Sequence, residues 1–239
     1  LVPVFAVYSS FLQRGYDQLM QDVALDGLHV VLGVDRAGLV GADGETHHGC
    51  FDALYLAQVP HMTVLCPASF AELRQMLRRA VLELDGPVAV RYPRGCEGVY
   101  QGCCGDETFT ELRGGEDCTI LTYGILVNQA LAAAERLEQA GIHARVVKLN
   151  VIAPLCGDAV LAALGNEKRL LVLEDCVGSG CVGQRVTAIL AQGGRMPEKL
   201  ILKNLGDTIP CHGSVPQLYE QMGLDAESVA AALREACHE

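Results

Sequence analysis

Nowhere in these 239 residues do Lys and Arg cluster, and the 18 basic side chains are outnumbered by 29 acidic ones, for a formal net charge of −11. Nucleic acids and anionic membrane surfaces are bound through basic patches, so neither is expected as a partner. No apolar run reaches the roughly 18 uncharged residues of a membrane-spanning helix. Internal repeats and low-complexity segments are lacking too. Cys96, Cys103 and Cys104 form no CxxC pair and have no His nearby, which leaves them loop thiols open to oxidation rather than a zinc site. The 11 cysteines are odd in number, the chain is long and no secretory leader is visible, so a disulfide framework is not expected. Cys50, Cys66, Cys118, Cys156 and Cys176 lie in or beside apolar runs, where cysteine acts as a small hydrophobe. Reduced thiols and a cytoplasmic location follow as expectations.

What is present is enough apolar material, 50% of the residues, for a substantial core. At about 100–200 residues per domain the chain should hold two. Apolar strand-like runs fall at 2–8, 29–34, 62–65 and 87–91. The motif Ser10-Phe11-Leu12-Gln13 reads as a capping box opening a helix to about 23, with Leu12, Tyr16, Leu19, Met20 and Val23 on one face. A second box, Ser69-Phe70-Ala71-Glu72, opens a helix with Leu73, Met76, Leu77, Ala80, Val81 and Leu84 at helical spacing. From about 95 to 115 periodicity gives way to glycine, cysteine and charge, the composition of a connector. Strands then recur at 118–123, 144–149, 170–174 and 200–204, alternating with helices at 125–140, 159–164, from about 183, 215–222 and 226–237. The fold class is α/β: two three-layer α/β/α domains with mostly parallel sheets, over 1–98 and 116–239, with a linker at 99–115. A chain that begins at Leu1 and runs at once into a strand reads as a piece of a longer protein.

The glycine-rich stretch 35–49 follows a buried strand, and ligands of open α/β sheets gather at strand carboxyl ends. It holds Arg36, Asp43, Glu45, His47 and His48. An imidazole moves protons in either direction near neutral pH, and a nearby carboxylate can fix its tautomer. A solitary loop histidine more often caps a helix. Arg36 and Arg94 both sit just past strand ends, where a guanidinium can fork onto a phosphate, although surface ion pairing is the commoner fate. Phe11, near Tyr8 and Arg14, reads as core packing on sequence alone. Gly178-Ser179-Gly180-Cys181-Val182-Gly183 fits the dinucleotide pattern GxGxxG, but no acidic residue stands at the required distance, which favours a tight packing turn.

Three segments, Tyr8-Ser9-Ser10-Phe11-Leu12-Gln13-Arg14, the 35–49 loop and Val90-Arg91-Tyr92-Pro93-Arg94-Gly95, occur in an order and spacing that closely resembles the 1-deoxy-D-xylulose-5-phosphate synthases. That family is transketolase-like and depends on thiamine diphosphate. The resemblance runs from about Val2 to the C-terminus and implies part of a transketolase pyrimidine-binding domain followed by a transketolase C-terminal domain. It implies that Phe11 meets the aminopyrimidine of thiamine diphosphate, with Tyr8 and Arg14 close by. Arg36 and Arg94 would bind the phosphate of glyceraldehyde 3-phosphate, Tyr8 and Asp43 would face substrate, and His47 with Asp43 would be catalytic. The second substrate would be pyruvate. Mg2+ would be held by a domain absent from these residues, the working form would be a homodimer, and the chain alone would be inactive. Rival readings are a transketolase, the β component of a 2-oxo acid dehydrogenase, a noncatalytic dimerisation module in which Arg36 and Arg94 point apart, and a dinucleotide-dependent oxidoreductase built on 178–183.

Overall fold

A computed structural model of the chain describes residues 1–238. Its strands are β1 (Val4–Tyr8), β2 (Val31–Asp35), β3 (Thr63–Leu65), β4 (Val88–Arg91), β5 (Phe109–Arg113), β6 (Cys118–Tyr123), β7 (Ala144–Leu149), β8 (Val151–Ala153), β9 (Arg169–Leu173) and β10 (Lys199–Lys203). The helices are α1 (Ser9–Leu12), α2 (Tyr16–Gln18), α3 (Asp52–Tyr55), α4 (Phe70–Leu82), α5 (Val127–Gln139), α6 (Gly157–Leu164), α7 (Val182–Gln192), α8 (Val215–Gln221) and α9 (Ala226–His238). They build two five-stranded, mostly parallel sheets, ordered β1-β2-β4-β3-β8 and β10-β9-β6-β7-β5.

Alternation along the strands gives each sheet two apolar faces. On the first sheet Val31, Leu65, Val88 and Val90 pack beneath Met76 and Ala80 of α4. On its other face Leu32, Val34, Val64 and Ala89 share one core with Leu12, Leu19 and Leu56, and with Leu121, Val147 and Val172 of the second sheet. The second sheet's remaining face packs Ile120, Val146 and Leu171 against Ala133 and Leu137 of α5 and Val229 and Leu233 of α9. The apolar core therefore runs without a break from one sheet to the other.

Two strands go beyond those expected from periodicity. β5 lies inside the stretch expected to be a connector and pairs antiparallel with β7. β8 leaves the second half of the chain to pair antiparallel with β3 in the first sheet. Both carry a register shift, and such irregular edge strands leave little alternation to detect.

Both expected capping boxes are also modified. The chain passes straight from β1 into α1, and Ser10 Oγ is buried without a hydrogen-bond partner rather than capping a helix. The run over 9–24 then changes from α to a 3-10 turn at Gln13–Gly15 and ends in a π turn at Leu19–Ala24, while keeping Leu12 and Leu19 in the core. Ser69 does cap α4, accepting from the Glu72 amide at 3.1 Å. The Glu72 carboxylate, however, is fully buried and pairs with the equally buried Lys148 of β7 at 2.8 Å. Tyr100 donates to its other oxygen at 2.7 Å. The oxygen that meets Lys148 also accepts from the Ala68 amide at 2.7 Å, one residue before the cap, so the carboxylate serves the helix start and partners the buried ammonium together.

All eleven cysteines are free thiols. Cys50, Cys66, Cys118 and Cys176 are buried as expected, whereas Cys156 is exposed and Cys104 is buried.

Candidate functional site

The first sheet ends its parallel strands side by side: Tyr8 closes β1 opposite Asp35 of β2, and Val34 lies opposite Arg91 of β4. Each strand then releases a loop or helix on the same side. Tyr8 and Phe11 stack with ring centroids 5.2 Å apart, and Phe11 remains 43% exposed. The Arg14 guanidinium lies 5.8 Å from the Phe11 ring and that of Arg36 lies 3.7 Å above the Tyr8 ring. His47 meets Phe11 edge-on at 5.4 Å.

Arg36 adopts φ +58°, a left-handed conformation rare for a residue with a side chain and common where a site holds strain. Its conformation is enforced from several sides. The Arg36 amide and Nη1 donate to the two Asp35 carboxylate oxygens at 2.7 and 2.6 Å, and Nε donates to Asp43 Oδ2 at 3.1 Å. Arg94 Nε approaches the same Asp43 oxygen at 3.4 Å. The two guanidiniums thus share one carboxylate, and Arg36 and Arg94 both line a cavity of about 270 Å3 together with Asp35, Ala68, Tyr92 and Ile125. A noncatalytic module with the two arginines pointing apart is at odds with this arrangement.

Tyr8, Phe11, Arg14, Arg36, Asp43, His47 and Arg94 are accordingly neighbours in one region. One detail differs from expectation: the partner of the His47 ring is the Thr46 hydroxyl, 2.9 Å from Nδ1, while Asp43 is engaged by the arginines. A carboxylate between two guanidiniums is held by charge, leaving a hydroxyl to orient the imidazole.

The loop carrying Asp43 and His47 is closed at its neck by reciprocal backbone hydrogen bonds, Gly38 N to Gly49 O at 2.8 Å and Gly49 N to Gly38 O at 2.7 Å. Both neck glycines are required by close approach. A Cβ at Gly38, where φ is +77°, would run into the Asp175 carboxylate, and one at Gly49 would run into the Arg36 carbonyl and Ser9.

Beneath the neck lies a buried ion triad that strand reasoning overlooked. Arg91, only 4% exposed, donates from Nε to Asp52 at 2.7 Å and from Nη2 to Asp175 at 3.1 Å. It reaches the Gly49 carbonyl at 3.5 Å. An arginine in an apolar parallel strand is the signal, because such a charge survives burial only with partners.

His48, buried beside the exposed His47, is a structural pin. Its Nδ1 accepts from the Val40 amide at 3.2 Å and its Nε2 lies 3.5 Å from the Cys211 carbonyl. Burial pulls its pKa below the ordinary histidine value, against the opposing pull of the Cys211 and Pro210 carbonyls and Glu45. The neutral ring is therefore the native one, and its contribution is complete above the ordinary histidine range and is lost as pH falls through the lowered native value. Amide exchange in the 40–49 loop is expected to accelerate beyond the intrinsic pH trend between about pH 8 and about pH 5. His48→Gln should remove that extra acceleration; its presence in both proteins would contradict the assignment.

The glycine motif at 178–183 is a packing turn. Glu174 accepts from the Val182 and Gly183 amides at 2.9 and 2.8 Å, filling the helix N-terminus that a pyrophosphate would need. A Cβ at Gly183 would press on Glu174 Oε1 at 2.8 Å. This agrees with the packing turn favoured from the sequence and speaks against the rival dinucleotide reading.

Residues 1–96 match the family model of the transketolase pyrimidine-binding domain, and residues 108–229 match that of the transketolase C-terminal domain. The chain belongs to the transketolase-like family of thiamine-diphosphate-dependent transferases. It is 42% identical to the 1-deoxy-D-xylulose-5-phosphate synthase of Chlorobaculum tepidum, over 98% of this chain and 37% of that protein. It is also 42% identical to that of Dechloromonas aromatica, over 98% of this chain and 38% of that protein. The chain thus spans less than two fifths of these relatives' length. Among solved structures, a split-gene transketolase described as an inactive beta4 tetramer superposes with TM-score 0.84 at 25% identity, covering 99% of this chain and 76% of that one. A Pichia stipitis transketolase shares the fold, with TM-score 0.80 and 16% identity over 98% of this chain and 34% of that one.

Proposed function

We propose that this chain forms the acceptor-binding and pyrimidine-facing part of a 1-deoxy-D-xylulose-5-phosphate synthase, which condenses pyruvate with glyceraldehyde 3-phosphate and releases carbon dioxide. The observation that carries the reading is the sharing of Asp43 by Arg36 and Arg94 beside an exposed aromatic ring and an imidazole.

In this reading Arg36 and Arg94 hold the acceptor's phosphate, with Asp43 setting their spacing and orienting a substrate hydroxyl. Phe11, half exposed and backed by Tyr8, offers a flat apolar surface that fits an aminopyrimidine ring, with the Arg14 guanidinium 5.8 Å from its centre. Thiamine diphosphate, when bound, supplies the electron sink for decarboxylation. Thr46 pins His47 Nδ1, leaving Nε2 to exchange a proton with the acceptor's aldehyde oxygen as the carbon–carbon bond forms. Among the described residues no group of three or more His, Cys, Asp or Glu side chains gathers to hold a metal ion. Mg2+ and the diphosphate are assigned to the part of the relatives that this chain does not span, and the isolated chain is proposed to be inactive. The working form is proposed as a cytoplasmic homodimer. Acidic charge argues against nucleic acid as a partner, and among the described residues no helix is long and apolar enough to cross a membrane.

Calorimetric titration of the chain with glyceraldehyde 3-phosphate tests the acceptor site directly. Losing a charge-assisted contact of about 1.5–3 kcal/mol, Arg94→Met is expected to bind roughly 10–100-fold more weakly. Equal affinity in the two proteins would remove Arg94 from the site.

A further inference from the structure

Among the cysteines that the proposed chemistry does not use, two meet in the second domain. Cys118 begins β6 and Cys237 lies in the last turn of α9. Both belong to one apolar cluster, Cys118 buried and Cys237 half-buried, and of the neighbouring groups Cys237 acts most strongly on the Cys118 thiol. A single side chain fixes the two backbones together: Arg169 donates from Nε to the Ala236 carbonyl at 2.9 Å and from Nη1 to the Asp117 carbonyl at 3.4 Å. One guanidinium thus holds the residue before each cysteine.

We propose that Cys118 and Cys237 are a redox-active dithiol whose disulfide fastens the C-terminal helix to the second sheet. The oxidant class is a low-molecular-weight disulfide such as glutathione disulfide. Cys237, the more accessible thiol, loses its proton to water and attacks one sulfur of that disulfide; a mixed disulfide forms and one glutathione thiolate leaves. The Cys118 thiol then loses its proton and attacks the Cys237 sulfur, releasing the second glutathione. Two protein thiols and one disulfide become one protein disulfide and two glutathione thiols, so electrons and protons balance. Burial, with the neighbouring Cys237 thiol, pushes the Cys118 pKa up to about 12, which makes the second step the slow one and faster at alkaline pH.

The bond would close the chain from β6 to α9 around most of the second sheet, and long closed loops gain the most from cross-linking. Its site is independent of the acceptor site, so failure of either proposal leaves the other standing.

The test uses the full chain with the exposed Cys96, Cys103, Cys156 and Cys211 replaced by Ser, so that competing surface thiols are removed. After incubation with glutathione disulfide, non-reducing digestion and mass spectrometry should recover a peptide pair joined through 118 and 237. The melting temperature should rise by about 5–10 °C, return on addition of dithiothreitol, and stay unchanged when Cys237→Ser is added. Cys237 bearing only glutathione after prolonged incubation at alkaline pH, with Cys118 still open to alkylation after unfolding, would overturn the proposal. So would a linked pair that forms equally fast in denaturant, since that would owe nothing to the folded placement.

Discussion

Arg91→Leu is expected to lower the unfolding free energy by about 3–5 kcal/mol, the usual consequence of removing one partner from a buried ion pair. Arg91 is the cation between Asp52 and Asp175, and all three side chains are at least 96% buried. Without it two carboxylates remain in an apolar interior. Burial already pushes the Asp52 carboxyl up, with Arg91 as the chief opposing influence. The loss should therefore be partly recovered by adding Asp52→Asn and Asp175→Asn, which remove the stranded charges. Urea unfolding of the three proteins measures this. A change under about 0.5 kcal/mol for Arg91→Leu, the range of an ordinary surface substitution, would mean that the triad is not stabilising. Because Asp175 comes from the second half of the chain and Asp52 from the first, the substitution should also loosen the packing between the two sheets.

Gly49→Ala should be nearly as damaging, and more specific in its consequences. The added methyl would meet the Arg36 carbonyl and the Ser9 side chain, and a backbone carbonyl cannot swing aside as a long side chain can. Arg36 is already held at φ +58°, so the peptide that must move is the one presenting the guanidinium to Asp43. Overpacking of this kind costs about 1–3 kcal/mol, to which loss of the Gly38–Gly49 bridge adds. Affinity for glyceraldehyde 3-phosphate is expected to fall by at least about tenfold as Arg36 and Asp43 lose register. Wild-type stability and affinity in Gly49→Ala would show that the neck is not constrained as described.

The regular parts of this fold are plain in the sequence because parallel strands buried on both faces are continuous apolar runs. Those at 31–35, 88–91 and 118–123 are short, β-branched-rich and bounded by turn residues, which marks them as strands. Tyr8, Phe11, Arg36, Asp43, His47 and Arg94 are legible as a group through their association with strand ends and through the resemblance to a known family. What stays hidden depends on distant partners. Glu72 has the spacing of a capping residue, and only the approach of Lys148 from the second sheet turns it into half of a buried ion pair. Arg91 looks like a strand residue until Asp52 and Asp175 arrive from elsewhere in the chain. The orientation of His47 by Thr46 rather than a carboxylate follows from the prior claim of two arginines on Asp43. β5 and β8 escape notice because short, shifted antiparallel strands at a sheet edge carry almost no pattern.

The central claim, that these residues complete a synthase site, is tested most directly by grafting. The matching segment of the Chlorobaculum tepidum 1-deoxy-D-xylulose-5-phosphate synthase is replaced by this chain, and carbon dioxide release from pyruvate is measured with and without glyceraldehyde 3-phosphate. Acceptor-stimulated turnover is predicted, falling about 10²–10⁴-fold in His47→Ala as expected for loss of a general acid–base group. A folded chimera that binds thiamine diphosphate yet releases no carbon dioxide, or one in which His47→Ala retains full activity, would contradict it.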